Sequence, residues 1–285
     1  MKNLLRSCLV VLLISTAHAA DKLPLRIGWT AWSDAEAVTR LAARILESRL
    51  DQPVELVLLD IGIQYQGLAN GDIDAMLMAW LPLTHKPYMD KVGDRVVNLG
   101  PLYTRARLGW VVPDYVPKDQ LNSIEDLKDR TVMGKLNNQI HGIDPGAGLM
   151  QASEKVIENY ELDRYHLISS SGAGMTAALS RAIKRQNWIV VTGWSPHWMF
   201  GAYDLRYLED PKGVLGKAER VHAYARSGFY QDHIEAAAFL SRMQIPLADL
   251  QQAMHHAQET SYEKAVEKYM QDNEDRIGYW VSGEL

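Results

Sequence analysis

Tryptophan residues stand at the ends of three predicted strands, and they are the residues in this sequence best suited to bind a ligand. Trp29 and Trp32 come with the end of the first strand, Trp80 ends the third, and Trp194 follows a later buried strand. The chain has eight Trp and only three Phe, although a core built for packing alone would use more Phe, because a buried indole N–H needs a hydrogen-bond partner. The alternative is that these Trp residues only cap a core.

The chemistry that several indole rings could perform together is the binding of a cation. Indole faces carry negative potential, so converging rings form a box for a cation that cannot donate hydrogen bonds, such as a quaternary ammonium. A glycine-rich turn at 142–148 precedes a predicted helix near Leu149, and the free N–H groups of such a turn favour an anion. His85 could add a side-chain donor. These residues predict a pocket for a zwitterion that carries a quaternary ammonium and a carboxylate.

Strand-like and helix-like segments alternate along the chain, which indicates an α/β fold with largely parallel sheets. The predicted strands are 25–29, 54–59, 75–80, 96–99, 108–112, 132–134, 140–143, 167–169, 189–192 and 221–225. The predicted helices are 33–50, with a capping box of Ser33 and Glu36, and 63–69, 149–160, 175–185, 247–257 and 262–280. Because no Gly/Ser-rich linker separates the two blocks, we expect two lobes joined by strands or short loops. Ligands of open α/β sheets bind beyond the carboxyl ends of the strands, where the Trp residues stand.

Composition and charge exclude several classes of protein. The 285 residues are 47% hydrophobic and 23% charged, which is typical of a globular protein and excludes a disordered chain or a multipass membrane protein. A net charge of −5 argues against a nucleic-acid binder, which needs a basic surface.

Residues 1–19 are predicted to form a cleaved signal peptide. A positively charged start precedes the apolar run 8–14, and Ala17-His18-Ala19 has the small-x-small form of a cleavage site. An N-terminal membrane anchor is the alternative, but the run is too short to span a bilayer as a stable helix. The single cysteine, Cys8, lies within this segment, so we expect a periplasmic protein without disulfides that is held together by its core.

Four motifs are specific in combination. They are Trp80-Leu-Pro-Leu-Thr-His85, Gly142-Ile-Asp-Pro-Gly-Ala-Gly148, Val191-Thr-Gly-Trp-Ser-Pro-His-Trp-Met-Phe200 and Leu208-Glu-Asp-Pro-Lys212. With them the sequence resembles the glycine betaine/choline substrate-binding proteins of ABC importers, from Ile27 to about Trp280. The resemblance implies a two-lobe, type II-like periplasmic binding protein fold with a hinge and with the ligand in the interlobe cleft. We expect lobe 1 at 20–106, lobe 2 at 107–215, and a return to lobe 1 with C-terminal helices at 216–285.

The resemblance also implies which residues bind the ligand. The aromatic prism falls on Trp32, Trp80 and Trp194, and the carboxylate contacts fall on the backbone N–H groups of Gly142 and Ile143 and on the His85 side chain. The ligand would bridge the lobes, and closure would be the signal to an ABC permease of the inner membrane. We expect a monomeric binding protein that is not an enzyme and has no cofactor, no metal ion and no nucleic-acid partner.

Asp34 leaves the preferred ligand open. Choline-binding members of the family place an acidic residue two positions after the first prism Trp, which is the position of Asp34 here. Its other interpretation is an acidic residue in the first turn of a helix, where the helix dipole favours it. His85 and the Asp-Pro-Gly turn match the betaine type. The candidates are therefore glycine betaine, proline betaine, carnitine and choline, and Tyr103 or Tyr115 could lean on the box.

Two further patterns suggest other functions. Gly172-Ala-Gly-Met-Thr-Ala177 has the form of a dinucleotide fingerprint, but no acidic residue follows at the distance that ribose binding needs. Ser195 and His197 could serve a hydrolase, although the motif lacks the second glycine of a nucleophile elbow. A binding protein that reports to a signalling partner rather than a permease is a third hypothesis, and no sequence feature separates it from the importer.

Overall fold

The computed structural model describes residues 22–284, and its strands form one sheet of nine strands. The predicted signal peptide at 1–19 lies outside the described residues. Within residues 22–284 no helix is both long enough and apolar enough to cross a membrane.

The first strand pairs in parallel with both of its neighbours, as predicted. β1 (Leu25–Trp29) pairs in parallel with β2 (Val54–Leu58) on one side and β3 (Ala75–Leu81) on the other. The helices α1 (Ser33–Arg49) and α2 (Ile61–Asn70) alternate with these strands. All of β3 except its last residue is buried, which explains its continuous apolar sequence, because such a strand is covered on both faces. A short helix, α3 (Lys86–Val92), follows and was not predicted.

The predicted capping box at the start of α1 is wrong. The helix begins at Ser33, and Trp32 occupies the N-cap position without a side-chain cap. The Ser33 hydroxyl donates instead to the sulfur of Met254 at 3.0 Å, on a helix near the C-terminus. The Ser33 side chain therefore makes a tertiary contact with Met254 and does not cap the helix.

One long strand joins the two parts of the sheet, where the sequence predicts separate strands at 96–99 and 108–112. β4 (Val96–Pro113) has 18 residues. Three register shifts interrupt its pairing before Arg107, and Gly100 (φ +117°) and Arg105 (φ +61°) lie within them. Such bulges bend a strand without ending it, so a segment with the sequence of a turn continues as strand.

β4 changes its partner part-way along. Its residues up to Ala106 pair antiparallel with β9 (Glu219–Arg226), and its residues from Arg107 pair antiparallel with β7 (Val191–Ser195). The prediction of largely parallel sheets is therefore wrong for the centre of the sheet, where β9 also pairs antiparallel with β3. This exchange of partners supports the predicted division of the chain at residues 106 and 107, and the lobe limits stay a prediction.

The second part of the sheet repeats the strand and helix order. β7 pairs in parallel with β5 (Gln139–His141), β5 pairs with β6 (His166–Ile168), and β8 (Leu205–Tyr207) pairs with the end of β4. The helices of this part are α4 (Arg130–Lys135), α5 (Gly148–Asn159), α6 (Gly172–Lys184) and α7 (Met199–Ala202). The strand predicted at 132–134 is wrong, because Asp129 caps α4 there by accepting from the N–H groups of Thr131 and Val132.

Helices follow β9, and α1, β4 and α7 are among the elements that they pack against. These helices are α8 (Phe229–Asp232), α9 (Ile234–Arg242), α10 (Leu247–Glu259), α11 (Tyr262–Asp272) and α12 (Glu274–Ser282). The single helix predicted at 262–280 is broken at Asn273, where the Arg276 guanidinium donates to Asn273 and Asp249 at 2.6 Å. The strand order is β2-β1-β3-β9-β4-β7-β5-β6.

Candidate functional site

A small cavity lies where residues from both parts of the sheet meet. Six of the predicted site residues line it: Trp32, Asp34, Trp80, His85, Ile143 and Trp194. The other lining residues are Thr84, Leu108, Ala147, Gly148 and Leu149. The structure thus brings together the three strand ends that carry Trp and the turn that begins α5.

Two of the three tryptophan rings are held by carboxylates. The Trp32 indole N–H donates to Asp144 Oδ2 at 2.8 Å, and the Trp194 indole N–H donates to Asp34 Oδ1 at 2.8 Å. Both Trp side chains are buried. In each pair the ring and the acid come from different parts of the sheet, so both hydrogen bonds cross the cleft.

His85 is a neutral hydrogen-bond donor at the edge of the cavity. The backbone N–H of Trp80 donates to its Nδ1 at 3.2 Å, so in the neutral ring the proton lies on Nε2. Burial lowers the pKa of His85 to about 3, which keeps the ring neutral at physiological pH. A hydrogen bond of 2.9 Å from the His85 N–H to the Trp80 carbonyl closes the turn that positions the His85 ring. His85 can therefore donate one hydrogen bond without adding a charge.

The prediction that the Gly142 N–H is a free donor is wrong. That N–H donates to the carbonyl of Ile168 at 2.8 Å, continuing the pairing of β5 with β6, and Gly142 does not line the cavity. A Cβ at position 142 would lie 2.3 Å from the sulfur of Met150, so the residue serves close packing.

Other backbone donors take its place in the same turn. The Ile143 N–H reaches only the Met150 sulfur, at 3.3 Å, which is a weak acceptor. The N–H groups of Gly148 and Leu149 have no backbone or side-chain acceptor among residues 22–284. They form the first turn of α5 and line the cavity. Free N–H groups at the start of a helix attract negative charge.

Asp34 belongs both to the first turn of α1 and to the cavity wall. It is fully buried, and burial raises its pKa even though hydrogen bonds from Tyr103 and Trp194 act to lower it. The Tyr103 hydroxyl donates to Asp34 Oδ2 at 2.5 Å, so Tyr103 supports the wall from behind. Tyr115 lies elsewhere, since its hydroxyl donates to the Asn187 carbonyl.

Ser195 and His197 do not form a catalytic pair. The Ser195 hydroxyl is 2.8 Å from the hydroxyl of Tyr207, and His197 Nδ1 accepts from the backbone N–H of Met199. Burial lowers the pKa of His197 to about 3, and its ring packs edge-on against Trp194 with centroids 4.5 Å apart. His197 thus supports the back of a box wall.

The glycine-rich segment that begins at Gly172 starts α6 and faces Trp32. A Cβ on Gly172 would lie 3.8 Å from Trp32 Cδ1. The Ser171 hydroxyl caps this helix by accepting from the Gly174 N–H. This segment therefore forms the start of a helix beside the cleft. That role agrees with the sequence, which lacks the acidic residue that a dinucleotide site would need.

Sequence reasoning missed the support of the 82–85 turn. Glu219 is buried, and it accepts from the backbone N–H groups of Leu83 and Thr84 at 2.8 and 3.1 Å and from the Thr84 hydroxyl. Its only signal in the sequence is an acidic residue at the start of an apolar strand. Leu108 was also missed as a wall residue, because its apolar character is typical of any core strand.

A family model matches residues 24–272 of the chain, and it describes the substrate-binding domain of ABC-type glycine betaine transport systems. The chain belongs to this family. It is a family of binding domains and not of enzymes, which agrees with the separation of Ser195 from His197.

Individual relatives agree with the family assignment. The glycine betaine/carnitine transport binding protein GbuC of Listeria monocytogenes is 35% identical over 185 residues, which are 64% of this chain and 58% of that protein's length. The periplasmic glycine betaine-binding protein OusX of Dickeya dadantii is 22% identical, and the match covers 96% of this chain and 92% of that protein.

Solved structures place the chain in the two-lobe periplasmic binding protein fold. Lactococcal OpuAC, in a closed conformation with glycine betaine, superposes with a TM-score of 0.85 at 37% identity over 92% of this chain and all of the other. An ABC-transporter choline-binding protein in complex with choline gives a TM-score of 0.83 at 26% identity over 91% of this chain and 92% of that one. The predicted α/β two-lobe fold is therefore confirmed.

Proposed function

We propose that this protein is the substrate-binding component of an ABC importer for a quaternary ammonium zwitterion, with glycine betaine as its preferred ligand. The observation that carries the proposal is one small cavity lined by three tryptophans and by neutral hydrogen-bond donors. The glycine betaine-binding protein of Dickeya and lactococcal OpuAC, solved with glycine betaine, support the same ligand. The partner that we propose is the permease of such an importer.

The tryptophan walls suit the trimethylammonium group. Its charge is spread under methyl groups and it donates no hydrogen bonds, so aromatic faces stabilise it better than a lone carboxylate would. Trp32, Trp80 and Trp194 supply three faces, and the cavity shields them from water. A desolvated cation–π contact is worth about 2 kcal/mol or more.

Other groups that line the cavity suit a carboxylate. They are the Nε2–H of neutral His85, the N–H of Ile143 and the first N–H groups of α5 at Gly148 and Leu149. None of these groups adds a formal charge, so the site favours a ligand that brings a compensating cation of its own. A zwitterion meets both requirements at once.

Choline is the second candidate, and Asp34 is the observation that favours it. A buried carboxylate in the cavity wall could offset the charge of a ligand that has no carboxylate of its own. Both oxygens of Asp34, however, already accept hydrogen bonds, from Trp194 and from Tyr103. We therefore rank choline below glycine betaine.

The proposed location is the periplasm, reached through a signal peptide cleaved after Ala19. The form of residues 1–19 and the periplasmic relative in Dickeya support this location. Expression of the full chain with an epitope tag at its C-terminus, followed by osmotic-shock fractionation, tests it. Mass spectrometry of the released protein should give a chain that begins at residue 20, and a full-length protein retained in the membrane would contradict the proposal.

The test of the proposed ligand is calorimetric titration of the processed protein with glycine betaine and, separately, with choline. Tight binding of glycine betaine with weaker binding of choline supports the proposal. Tighter binding of choline would make Asp34 a direct ligand contact and replace glycine betaine as the preferred ligand. If neither compound produces heat, carnitine and proline betaine are the next ligands to titrate.

A further inference from the structure

Trp32 and Trp194, whose indole N–H groups donate hydrogen bonds to carboxylates, form a crossed pair. Trp32, before α1, donates to Asp144 in the turn before α5, while Trp194 on β7 donates to Asp34 in the first turn of α1. Each side of the cleft thus contributes one ring and the acid that holds the other side's ring. Both N–H to oxygen distances are 2.8 Å.

From this arrangement we infer that Asp144 is a positioning residue, which holds Trp32 against the ligand from the opposite lobe, as Asp34 holds Trp194. The cation box is then complete only in the closed molecule, and the crossed bonds keep it closed around the ligand. The inference rests on the proposed function, because it explains how the proposed box retains a bound quaternary ammonium.

The direction of the indole N–H explains how an acid can orient a ring. The N–H bond lies in the plane of the indole, so an acceptor across the cleft fixes that plane and prevents the ring from turning about its bond to Cβ. The flat face of the ring is then available to the cavity, and only the face attracts a cation. A hydrogen bond to an ionised carboxylate is stronger than one to a neutral acceptor, so the acid is an effective anchor.

Trp80 provides the internal contrast. Within the described part of the chain its indole N–H has no carboxylate partner of the kind that Trp32 and Trp194 have, although its backbone N–H donates to His85. The ring stands at the end of β3, in a strand buried on both faces. Trp80 is therefore a wall fixed by its own lobe, whereas Trp32 and Trp194 depend on contacts between the lobes.

Each acid is oriented within its own lobe before it meets its ring. Asp34 accepts from the Tyr103 hydroxyl, and Tyr103 lies on the part of β4 that pairs with β9. The Asp144 carbonyl accepts from the Ala147 N–H at 2.9 Å, which closes the turn before α5. Closure of the lobes brings the carboxylate of Asp34 or Asp144 to the indole N–H of the opposite lobe. Opening breaks both of these hydrogen bonds.

The test compares Asp144→Ala and Asp144→Asn with the wild type by stopped-flow tryptophan fluorescence with glycine betaine. Asp144→Ala should raise the dissociation rate constant about ten-fold or more, because a hydrogen bond to a charged group is lost. Asp144→Asn keeps an acceptor oxygen and should recover most of the loss. Asp163→Ala, which removes an exposed carboxylate of the same lobe far from the lining residues, is the matched control and should leave the rate unchanged.

A spectroscopic readout separates positioning from a general loss of structure. In protein labelled with ¹⁵N, the Trp32 indole N–H, assigned from Trp32→Phe, should be protected from exchange with solvent in the wild type. Asp144→Ala should remove this protection and leave the Trp80 indole signal unchanged. A wild type that binds no betaine would overturn the proposed function, whereas a wild type that binds glycine betaine without protecting the Trp32 signal would overturn the crossed bond alone.

A double-mutant cycle completes the test. Trp32→Phe removes the donor and keeps an aromatic face, so Trp32→Phe/Asp144→Ala should dissociate no faster than Trp32→Phe alone. If the two effects multiply, or if Asp144→Ala has the wild-type dissociation rate and an unchanged Trp32 signal, the inference is overturned. Asp34 is a poorer position for this test, because its removal leaves two buried donors without an acceptor.

Discussion

At the proposed cation end of the cavity the wall consists of large side chains, whereas at the proposed carboxylate end most donors are backbone N–H groups. The three tryptophans that form the first end are where their positions after the strands predict them. At the second end, His85 and Ile143 line the cavity, but Gly142 does not, and Gly148 and Leu149 take its place. The chemistry of a side chain follows from the residue type and can be read from the sequence. A backbone N–H is available only if no other part of the fold accepts its hydrogen bond.

The largest expected effect comes from the cation end, with Trp80→Ala. Loss of one desolvated cation–π contact of about 2 kcal/mol should weaken both glycine betaine and choline about 30-fold, because both carry the same quaternary ammonium. Calorimetric titration measures both affinities. Wild-type affinity in this variant would remove Trp80 from the box, and Trp188→Ala, far from the lining residues, is the control for loss of a tryptophan.

At the carboxylate end, His85→Ala should affect the two ligands differently. We expect glycine betaine to bind about ten-fold more weakly, since a hydrogen bond to a charged group is lost, and choline to change less than about two-fold. Competition titrations with both ligands test this difference. Equal losses for the two ligands would mean that His85 shapes the cavity and does not contact the carboxylate.

A smaller and less selective effect is expected from Gly148→Ala. A Cβ there would lie 2.6 Å from the carbonyl oxygen and the methyl group of Thr84 across the cleft, whereas a Cβ on Gly146 meets nothing within 4 Å. The overpacked contact should weaken both ligands about five-fold by opposing closure. Gly146→Ala is the matched control in the same turn, and a similar loss in both variants would point to the turn backbone instead.

Between pH 8 and pH 5 the titration of His85 and His197 should not change glycine betaine affinity. Burial holds the pKa values of His85 and His197 at about 3, so both rings stay neutral in the folded protein over this range. An affinity break near pH 6 would mean that His85 binds the carboxylate as a cation.

Stability should depend on pH even though affinity does not. Unfolded histidines titrate near 6.5, so between about pH 6.5 and pH 3 the unfolded chain binds more protons than the folded one. The contribution of the two rings to the free energy of unfolding is fully present above pH 6.5 and is lost as the pH falls toward 3. Urea unfolding at pH 7.5 and 5 measures it, and His197→Gln should reduce the difference.

The parts of the fold that the sequence predicted are those determined by local pattern. The apolar run of β3 and the β-branched residues around β7 identified those strands, and the residues that follow strands identified most of the cavity. The sequence did not reveal that the Gly142 N–H donates to the Ile168 carbonyl, or that the Ser33 hydroxyl donates to the Met254 sulfur. In both cases the partner comes from a distant part of the chain, and only the folded arrangement shows which local option is lost.

The long strand β4 was missed for a related reason. Gly100-Pro101 and the positive φ of Arg105 are typical of turns, and pairing with β9 and β7 carries the strand through them. Asp34 gives the opposite case, because both of its predicted roles are compatible with one position: it lies in the first turn of a helix and also in the cavity wall.

The position of β9 affects the order in which the protein can be assembled during synthesis. β9 lies between β3 and β4, so the last strand of the chain fills a central place in the sheet. β3 and β4 emerge from the ribosome more than a hundred residues before their shared neighbour does. Until then the sheet lacks the strand that joins β3 to β4 and cannot reach its final structure. Late completion of the sheet suits the proposed export, because a translocation channel admits only an unfolded chain.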